Sequence, residues 1–506
     1  MPTPLPTVPT ALPEVEVVAA ARGAGPVAVV SRSIDGGAPR LGPGGEGITE
    51  EWIRAVGLTG RAGEVHSGPF GWAVGIGDGA PARWRTAGAA LTRAVNARLA
   101  ADSDSGRRVE RTLRLRLPED AGPDEITELV RGLRLGGYDY KVVSTPAKPA
   151  LRTIRLIAGE PGRQAELGAA ARRSAALAEA TALTRDLANT PSNIKDPAWL
   201  ARTAARVAAG VPSLRVDVRD EHWLAEHGFG GVLAVGSGSS RPPRLIELAW
   251  HPRGARTHLV LVGKGITFDT GGISVKHADG MHVMRTDMAG GAAVIAALHA
   301  VARLGIGLRV TGLVPCAENH MSGSAYRPGD VVRHYGGRTT EVTNTDAEGR
   351  MVLADSLAYA RARLHPDLIV DVATLTGHMK VSLGLRTGGL FASSDTLADR
   401  VLSAGERAGE SWWRMPLPAD VDTLAAELSD AVRSDIADVR QCPPGPGSIT
   451  AAAFLHTFAT GCPWAHLDIA GPARADKPYD DITPGATGFA TRTLIELATS
   501  YASTDR

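Results

Sequence analysis

Acidic residues in three short stretches of this sequence have the types and spacing for metal chemistry. The first stretch runs Val262-Gly263-Lys264-Gly265-Ile266-Thr267-Phe268-Asp269-Thr270-Gly271-Gly272-Ile273-Ser274-Val275-Lys276, directly after an apolar run. The second is Met284-Arg285-Thr286-Asp287-Met288-Ala289-Gly290-Gly291, and the third is Asn344-Thr345-Asp346-Ala347-Glu348-Gly349-Arg350. Taken singly, each has a plain reading. Gly265, Gly271 and Gly272 suit turns, and Asp287 and Asp346 suit helix starts, where a carboxylate caps free backbone N–H groups. Taken together, Asp269, Asp287, Asp346 and Glu348 bring four negative charges to one place if the stretches converge. Such a cluster needs cations among the acids, and two divalent ions balance it. Oxygen donors of this kind suit Mn2+, Mg2+ or Zn2+. Asp346 and Glu348 are two apart and cannot share one helical face, so an extended turn before a helix must aim both at a metal pair. Lys264 beside these acids reads as a salt bridge or, next to divalent cations, as a neutral amine ligand.

The elements that must position these residues follow from the apolar pattern. Leu245–Trp250, His258–Val262, Leu308–Val314 and Leu368–Val372 read as short buried strands, and residues 292–304, 354–364 and 450–458 as helices. Alternation of strand and helix implies an α/β domain, whose sites gather beyond the carboxyl ends of the strands. All three stretches fall there. No GxxxxGK[ST] or GxGxxG occurs in this region, which argues against a phosphate loop. Residues 1–165 differ: Gly/Pro-rich breaks such as Gly42-Pro43-Gly44-Gly45 separate strands near Val27–Val30 and Thr112–Leu117 from helices near Ala89–Leu99 and Asp124–Leu133. That is a smaller α/β domain with no catalytic constellation, and residues 1–13 read as flexible. An Ala-rich helical run, 164–189, ends at Asn189-Thr190-Pro191 and makes 166–190 a linker helix. Residues 191–506 then form the second domain, with a central mixed sheet flanked by helices.

Composition narrows the class. The 506 residues are too many for one ordinary domain, and 43% hydrophobic with 22% charged residues is a globular balance. Lys+Arg is 55 against 54 Asp+Glu, a net charge of +1, which argues against a broad basic face for nucleic acid. Cys316, Cys442 and Cys462 make no CxxC pair, so neither a disulfide scaffold nor a cysteine zinc site is expected. The start lacks a basic segment followed by an apolar run, and no stretch approaches the roughly 20 apolar residues of a membrane span. A protein of a reducing cytoplasm is the expectation.

These motifs resemble those of the leucyl aminopeptidase family of dinuclear metallopeptidases. Residues 344–350 match the family's signature heptapeptide, and 262–276 its first metal segment. LTRDLANTPSN (183–193), GGVLAVGSGSSRPPRL (230–245), DVATLTG (371–377), WAHLDIAG (464–471) and GATGF (485–489) look like family segments too, so the resemblance covers about residues 180–500. It implies an aminopeptidase with two divalent ions, Mn2+ or Zn2+ with Mg2+ as a further option. Asp269 and Glu348 resemble carboxylates that bridge both ions. Lys264 and Asp287 resemble the other ligands of the tighter ion, and Asp346 the main ligand of the more exchangeable one. Lys276 resembles the lysine that polarises the scissile carbonyl, and Arg350 the arginine that holds a bicarbonate thought to relay the proton. Met284, Asn344, Thr374, Leu375, Gly377, Ala470 and Ala473 resemble the substrate-binding residues, with a backbone carbonyl at Leu375. The resemblance also implies preference for leucine and other apolar N-terminal residues, a homohexamer built as a dimer of trimers, and cytoplasmic work.

Departures from the family pattern bear on specificity. Ala473 stands where some relatives carry a larger Met, so either the side-chain pocket is wider or Ala473 belongs to the core. His320 and His378 stand where Met and small or apolar residues are usual. Cys442-Pro443-Pro444-Gly445-Pro446-Gly447 is unusually Pro-rich. His282, His299 and His466 lack the spacing of HExxH ligands, and Trp412-Trp413 reads as packing or an oligomer contact. Two other classes compete: a non-catalytic protein that kept the fold, disfavoured because all seven key residues are present, and a two-metal phosphatase, disfavoured by the apolar pocket and Lys276.

Overall fold

The computed structural model describes residues 8–20, 26–35, 37–417 and 431–502. Residues 1–7 of the expected flexible start therefore lie outside the described residues. The described chain divides into two compact units. Unit 1 runs to Ala182 and also takes in Asp476–Pro484; unit 2 comprises Leu183–Ala475 and the residues from Gly485 on.

Unit 1 is a small α/β sandwich. Its strands are β1 (Glu14–Val18), β2 (Val27–Arg32), β3 (Arg40–Leu41), β4 (Val65–Gly68), β5 (Gly71–Gly75), β6 (Thr112–Arg116) and β7 (Thr153–Ile157), in the order β1-β7-β6-β2-β5-β4 with β3 on β2. The pairs along β1-β7-β6-β2-β5 are parallel, as crossover helices require. Helices α1 (Glu50–Val56), α2 (Pro81–Asp104) and α3 (Pro123–Leu135) connect them. The start of α3 is written locally: Pro123 fits the first turn, and the Glu125 side chain accepts from Gly122 N at 3.0 Å. Its Ile126, Leu129, Val130 and Leu133 face a core shared with Trp84, Leu91 and Val95 of α2. Helix α4 (Pro161–Asn189) begins three residues before the expected run and ends where Pro191 forbids another turn.

The 476–484 segment supplies unit 1 with buried charge. Asp481, 1% exposed, accepts from Arg131 Nε and Nη2 at 3.2 and 3.3 Å. Arg85 Nη1 meets Glu128 at 2.9 Å and its Nε lies 3.7 Å from Asp481. Asp480 accepts from the Thr86 hydroxyl at 2.7 Å, and its carbonyl accepts from Arg93 at 2.9 Å.

Unit 2 is built on a nine-stranded mixed sheet. In chain order the strands are β8 (Leu214–Arg219), β9 (Arg244–Trp250), β10 (His258–Gly263), β11 (Gly265–Asp269), β12 (Arg309–Asn319), β13 (Val331–Arg333), β14 (Thr339–Glu341), β15 (Leu368–Ala373), β16 (Thr387–Ala392), β17 (Ser411–Arg414), β18 (Val439–Arg440), β19 (Trp464–Asp468), β20 (Arg474–Ala475) and β21 (Gly485–Ala486). The large sheet runs β17-β16-β19-β15-β10-β12-β9-β8, with β11 on β12, while β13-β14-β18 and β20-β21 form small separate sheets. The centre, β19-β15-β10-β12, is parallel, and β10 and β15 are buried at every position. Unbroken Val/Leu runs suit such strands, because helices cover both faces. The helices are α5 (Pro197–Ala208), α6 (Glu221–Glu226), α7 (Gly230–Gly236), α8 (Ala289–Arg303), α9 (Glu348–Tyr359), α10 (Gly377–Leu383), α11 (Asp395–Ala408), α12 (Gly447–Ala459) and α13 (Thr491–Ala502).

Two of the elements that run past their expected ends bear on the site. The expected strand 308–314 runs on to Asn319 as β12, because the polar Glu318-Asn319 end is held by pairing with β11. The expected helix 354–364 starts at Glu348, and its last turn, Ala360–Leu364, widens into a π-helix.

Candidate metal centre

The three acidic stretches converge at the carboxyl ends of β10, β11 and β15. Lys264 follows β10, Asp269 ends β11, Asp287 precedes α8 and Glu348 opens α9. Oxygens of Asp269, Asp346 and Glu348 lie within 4.8 Å of one another, an arrangement able to hold a metal ion. Lys264 Nζ reaches Asp287 at 2.8 Å, Glu348 at 2.8 Å and the Thr374 carbonyl at 3.0 Å. Lys276 Nζ lies 2.8 Å from Asp269 and also contacts Asp346. Both lysines thus stand here as ammonium counter-ions.

The turns that make this possible need glycine. Gly271 has φ +87°, and a Cβ there would meet the Ser274 carbonyl at 2.4 Å and Asp346 Oδ1 at 3.1 Å. A Cβ at Gly349 would strike Lys264 Cε at 2.7 Å. The heptapeptide turn is held by side chains: Thr345 Oγ1 donates to the Gly271 carbonyl at 2.7 Å and accepts from Ser274 N at 2.8 Å. Asn344 Oδ1 accepts from Asp346 N at 2.9 Å. Asp346 and Glu348 reach the centre from this turn and the first residue of α9, as their spacing demanded.

The electrostatics are unbalanced. Four carboxylates face two ammonium groups. Burial, then the neighbouring Asp269, pushes the Glu348 carboxyl up to about 7 and the Asp346 carboxyl up to about 6. Asp287 is also pushed up to about 6 by burial, against the pull of Lys264. Burial alone would favour a neutral Lys264, but Asp287 and Glu348 outweigh it and hold the ammonium form; Asp269 and Glu348 do the same for Lys276. Hard oxygen donors that resist ionisation without more positive charge fit divalent cations. Arg350, 5% exposed, donates from Nη1 to the Gln441 carbonyl at 2.8 Å, while its Nε is buried without a hydrogen-bond partner. A small anion fits that orphaned donor.

The remaining expected residues are placed unevenly. Thr374 Oγ1 donates to Asp287 Oδ1 at 2.6 Å. The backbone N–H groups of Leu375 and Ala470 both donate to Asp468 Oδ1, at 3.2 and 3.1 Å. Met284, half-buried, joins through its carbonyl, which accepts from Asp287 N. No hydrogen bond ties Gly377 or the buried Ala473 to the cluster. The His378 ring packs where a Cβ on Gly447 would stand, 2.6 Å from its Nδ1. His320 is exposed and bonds the Met321 carbonyl, and His282 is exposed as well. His466 is buried against Asp371 at 2.5 Å. Trp412 is buried and donates to Thr493, whereas Trp413 is 63% exposed. The three cysteines are free.

Several supporting residues escaped the sequence reading. Asn319 Nδ2 donates to Asp269 Oδ1 at 2.8 Å and to the Thr345 carbonyl at 3.0 Å, a carbonyl that also accepts from the Tyr326 hydroxyl. Gln441 accepts from Asn344 N at 3.0 Å and donates to the Ala347 carbonyl at 3.1 Å. Asp468 accepts from Thr376 N and Oγ1. Asp468 lies inside the recognised segment 464–471, Asn319 directly before the noted His320, and Gln441 directly before the noted Pro-rich stretch 442–447, but none of these placements signalled a supporting role.

The family model described as the cytosol aminopeptidase family, catalytic domain, matches residues 182–495. A probable cytosol aminopeptidase of Streptomyces coelicolor is 40% identical over 504 residues, covering 91% of this chain and 93% of that protein. One from Mycobacterium leprae is 40% identical over 474 residues, covering 90% and 87%. Among solved structures, the bottromycin maturation enzyme BotP in complex with Mn is 38% identical, with a TM-score of 0.80 over 97% of this chain and 99% of that one. A tomato leucine aminopeptidase variant is 27% identical, with a TM-score of 0.81 over 98% and 97%.

Proposed function

This chain belongs to the cytosol aminopeptidase family of metal-dependent aminopeptidases, and from that premise we propose that it removes leucine and other apolar residues from the N-termini of peptides, using two divalent ions. The convergence of Asp269, Asp346 and Glu348 within 4.8 Å, beside Lys264 and Asp287, carries this reading. Asp269 and Glu348 would hold both ions, Asp287 and Lys264 one of them, with Lys264 as the neutral amine because the ion would take the place of its proton, and Asp346 the other. When bound, such ions lower the pKa of water and polarise a carbonyl.

The chain's own residues do the rest. Asp287 offers an acceptor to a free α-amine, which restricts the reaction to N-terminal residues. The Lys276 ammonium faces the same acids and opposes negative charge on the scissile carbonyl oxygen as it develops. Arg350, through its unpartnered Nε, would hold a small anion such as bicarbonate. Met284, Asn344, Thr374, Leu375, Gly377, Ala470 and Ala473 form the substrate's surroundings in this reading. We place the enzyme in the cytoplasm as a homohexamer, a dimer of trimers; no helix among the described residues is long and apolar enough to cross a membrane. Light scattering at the mass of the 52.7 kDa monomer would overturn the assembly.

The direct test is release of p-nitroaniline from leucine-p-nitroanilide by purified protein with Mn2+, with a chelator, and after readdition. Activity that appears with Mn2+ and vanishes with chelator is expected. No metal-dependent release sinks the reading.

A further inference from the structure

Behind the residues of the metal centre lies a second cavity of about 360 Å³. Its lining includes Arg241, Phe268, His282, Arg285, Glu318 and His320. The last five lie on the segments that carry the centre's residues. Phe268 precedes Asp269 on β11. Glu318 and His320 flank Asn319, which donates to Asp269 at 2.8 Å. His282 and Arg285 belong to the 3-10 turn Met281–Thr286 that leads to Asp287. Successive side chains of a strand point to opposite faces. The strand ends that present Asp269 and Asn319 to the metal centre therefore present Phe268, Glu318 and His320 to this cavity.

The charge here has the opposite sign. Arg241 and Arg285 bring two positive charges against the single carboxylate of Glu318. That carboxylate is already engaged, by the Ser239 hydroxyl and by Arg241 at 3.8 Å. Behind Arg285 lies Lys195, fully buried, whose Nζ donates to the carbonyls of Arg285 at 2.5 Å and Ala188 at 3.2 Å. Both acceptors are carbonyls, and Asp287 is the acid that attracts it. Burial, followed by repulsion from Arg285, depresses the Lys195 pKa well below the usual lysine range. Arg474 adds another positive charge near Arg285. The cavity of unit 1 around Arg32 lacks this excess, since Arg32 there is paired with Asp120 at 3.0 Å among several acids.

We propose that the cavity is a small-oxyanion site, back to back with the metal centre, which takes a phosphate or carboxylate group. Two guanidinium groups suit either anion, because their planar forks match its oxygens. The volume admits a hydrated phosphate or a small organic acid. Filling it steadies the Met281–Thr286 turn, and with it Met284 and Asp287, by pairing Arg285.

The test uses the full chain stripped of metal, so that neither turnover nor metal phosphate intervenes and the result stands apart from the peptidase reading. Inorganic phosphate and succinate are titrated separately by calorimetry, and hydrogen exchange locates the effect. Saturable binding of one or both is expected, with protection at 281–286 and 318–321; the tighter of the two identifies the source of the anion. Arg241→Met should weaken binding at least about tenfold. His320→Glu, at an exposed position, should do the same and covers the case in which the first variant misfolds. Arg350→Met should leave the protection at 281–286 and 318–321 unchanged. Binding lost in Arg350→Met but kept in the other two would put the anion at Arg350 and overturn the proposal, as would no saturable binding of either ligand.

Discussion

Two clusters of acids and bases among the described residues, one in each unit, differ in how their charge is balanced. In unit 1, Glu128, Asp480 and Asp481 meet Arg85, Arg93 and Arg131, three against three. In unit 2, Asp269, Asp287, Asp346 and Glu348 meet only Lys264 and Lys276, four against two. Guanidinium forks bond several oxygens in fixed geometry, and the positive charges of the first cluster match its acids in number, even though Arg85 Nε and Arg93 Nη1 make no hydrogen bond. Ammonium groups are compact and leave carboxylate oxygens available. Burial without enough countercharge pushes three of the four carboxyls up toward neutral pH. Similar ingredients give a brace in one unit and a cation trap in the other, and the count of positive charges decides which.

The largest expected effect comes from the trap. Glu348→Ala should lower leucine-p-nitroanilide turnover on the order of a thousandfold with circular dichroism unchanged. Retained turnover would erase the distinction between the clusters. The brace should respond in the other currency. Asp481→Ala removes from the buried Arg131 the carboxylate that its Nε and Nη2 bond and should destabilise unit 1 by about 3–5 kcal/mol in denaturant unfolding, with turnover per folded chain unaltered. A stable variant would mean that Asp481 contributes no brace.

The pH dependence separates the two further. A raised carboxyl keeps its proton in the folded chain after the unfolded chain has lost it. Stability of the metal-free protein therefore falls as pH rises from about 4.5 to about 7 through Asp287, Asp346 and Glu348. Mn2+ should raise the melting temperature more at pH 8 than at pH 5.5, where protons compete for the same oxygens. An equal rise at both values would contradict the trap. The smallest effect concerns the substrate. Ala473→Met should narrow the side-chain pocket and shift kcat/KM from phenylalanyl toward alanyl substrates by about tenfold. No shift would leave Ala473 as core alone.

The metal acids were legible because glycine turns and carboxylates sit close together in sequence, within 262–276 and 344–350. The strands carrying them were legible because buried parallel strands read as unbroken apolar runs. What was not legible depends on distance. Asn319 matters only because β12 runs five residues past its apolar run to reach Asp269. Gln441 lies about a hundred residues from Asn344, and no local pattern ties them. The sequence reading left Lys264 between a salt bridge and a neutral ligand of a cation; which acids surround it, Asp287 and Glu348 foremost, is set only in space. The pairing of Asp481 with Arg131 spans 350 residues and had no signal at all.

That last pairing bears on how such a chain can be inherited and recombined. Residues 476–484 are encoded inside the stretch matched by the catalytic-domain family model, 182–495, yet they fold as part of unit 1. A gene fragment ending at residue 182 leaves Arg131 and Arg85 without Asp481. A fragment beginning there carries nine residues whose host is missing. Exchange of the N-terminal region between relatives therefore has two crossover problems, and a working chimera must move a short internal cassette together with the leading segment. The variable unit and the catalytic unit are thus linked as heritable parts, even though the first holds none of the metal chemistry.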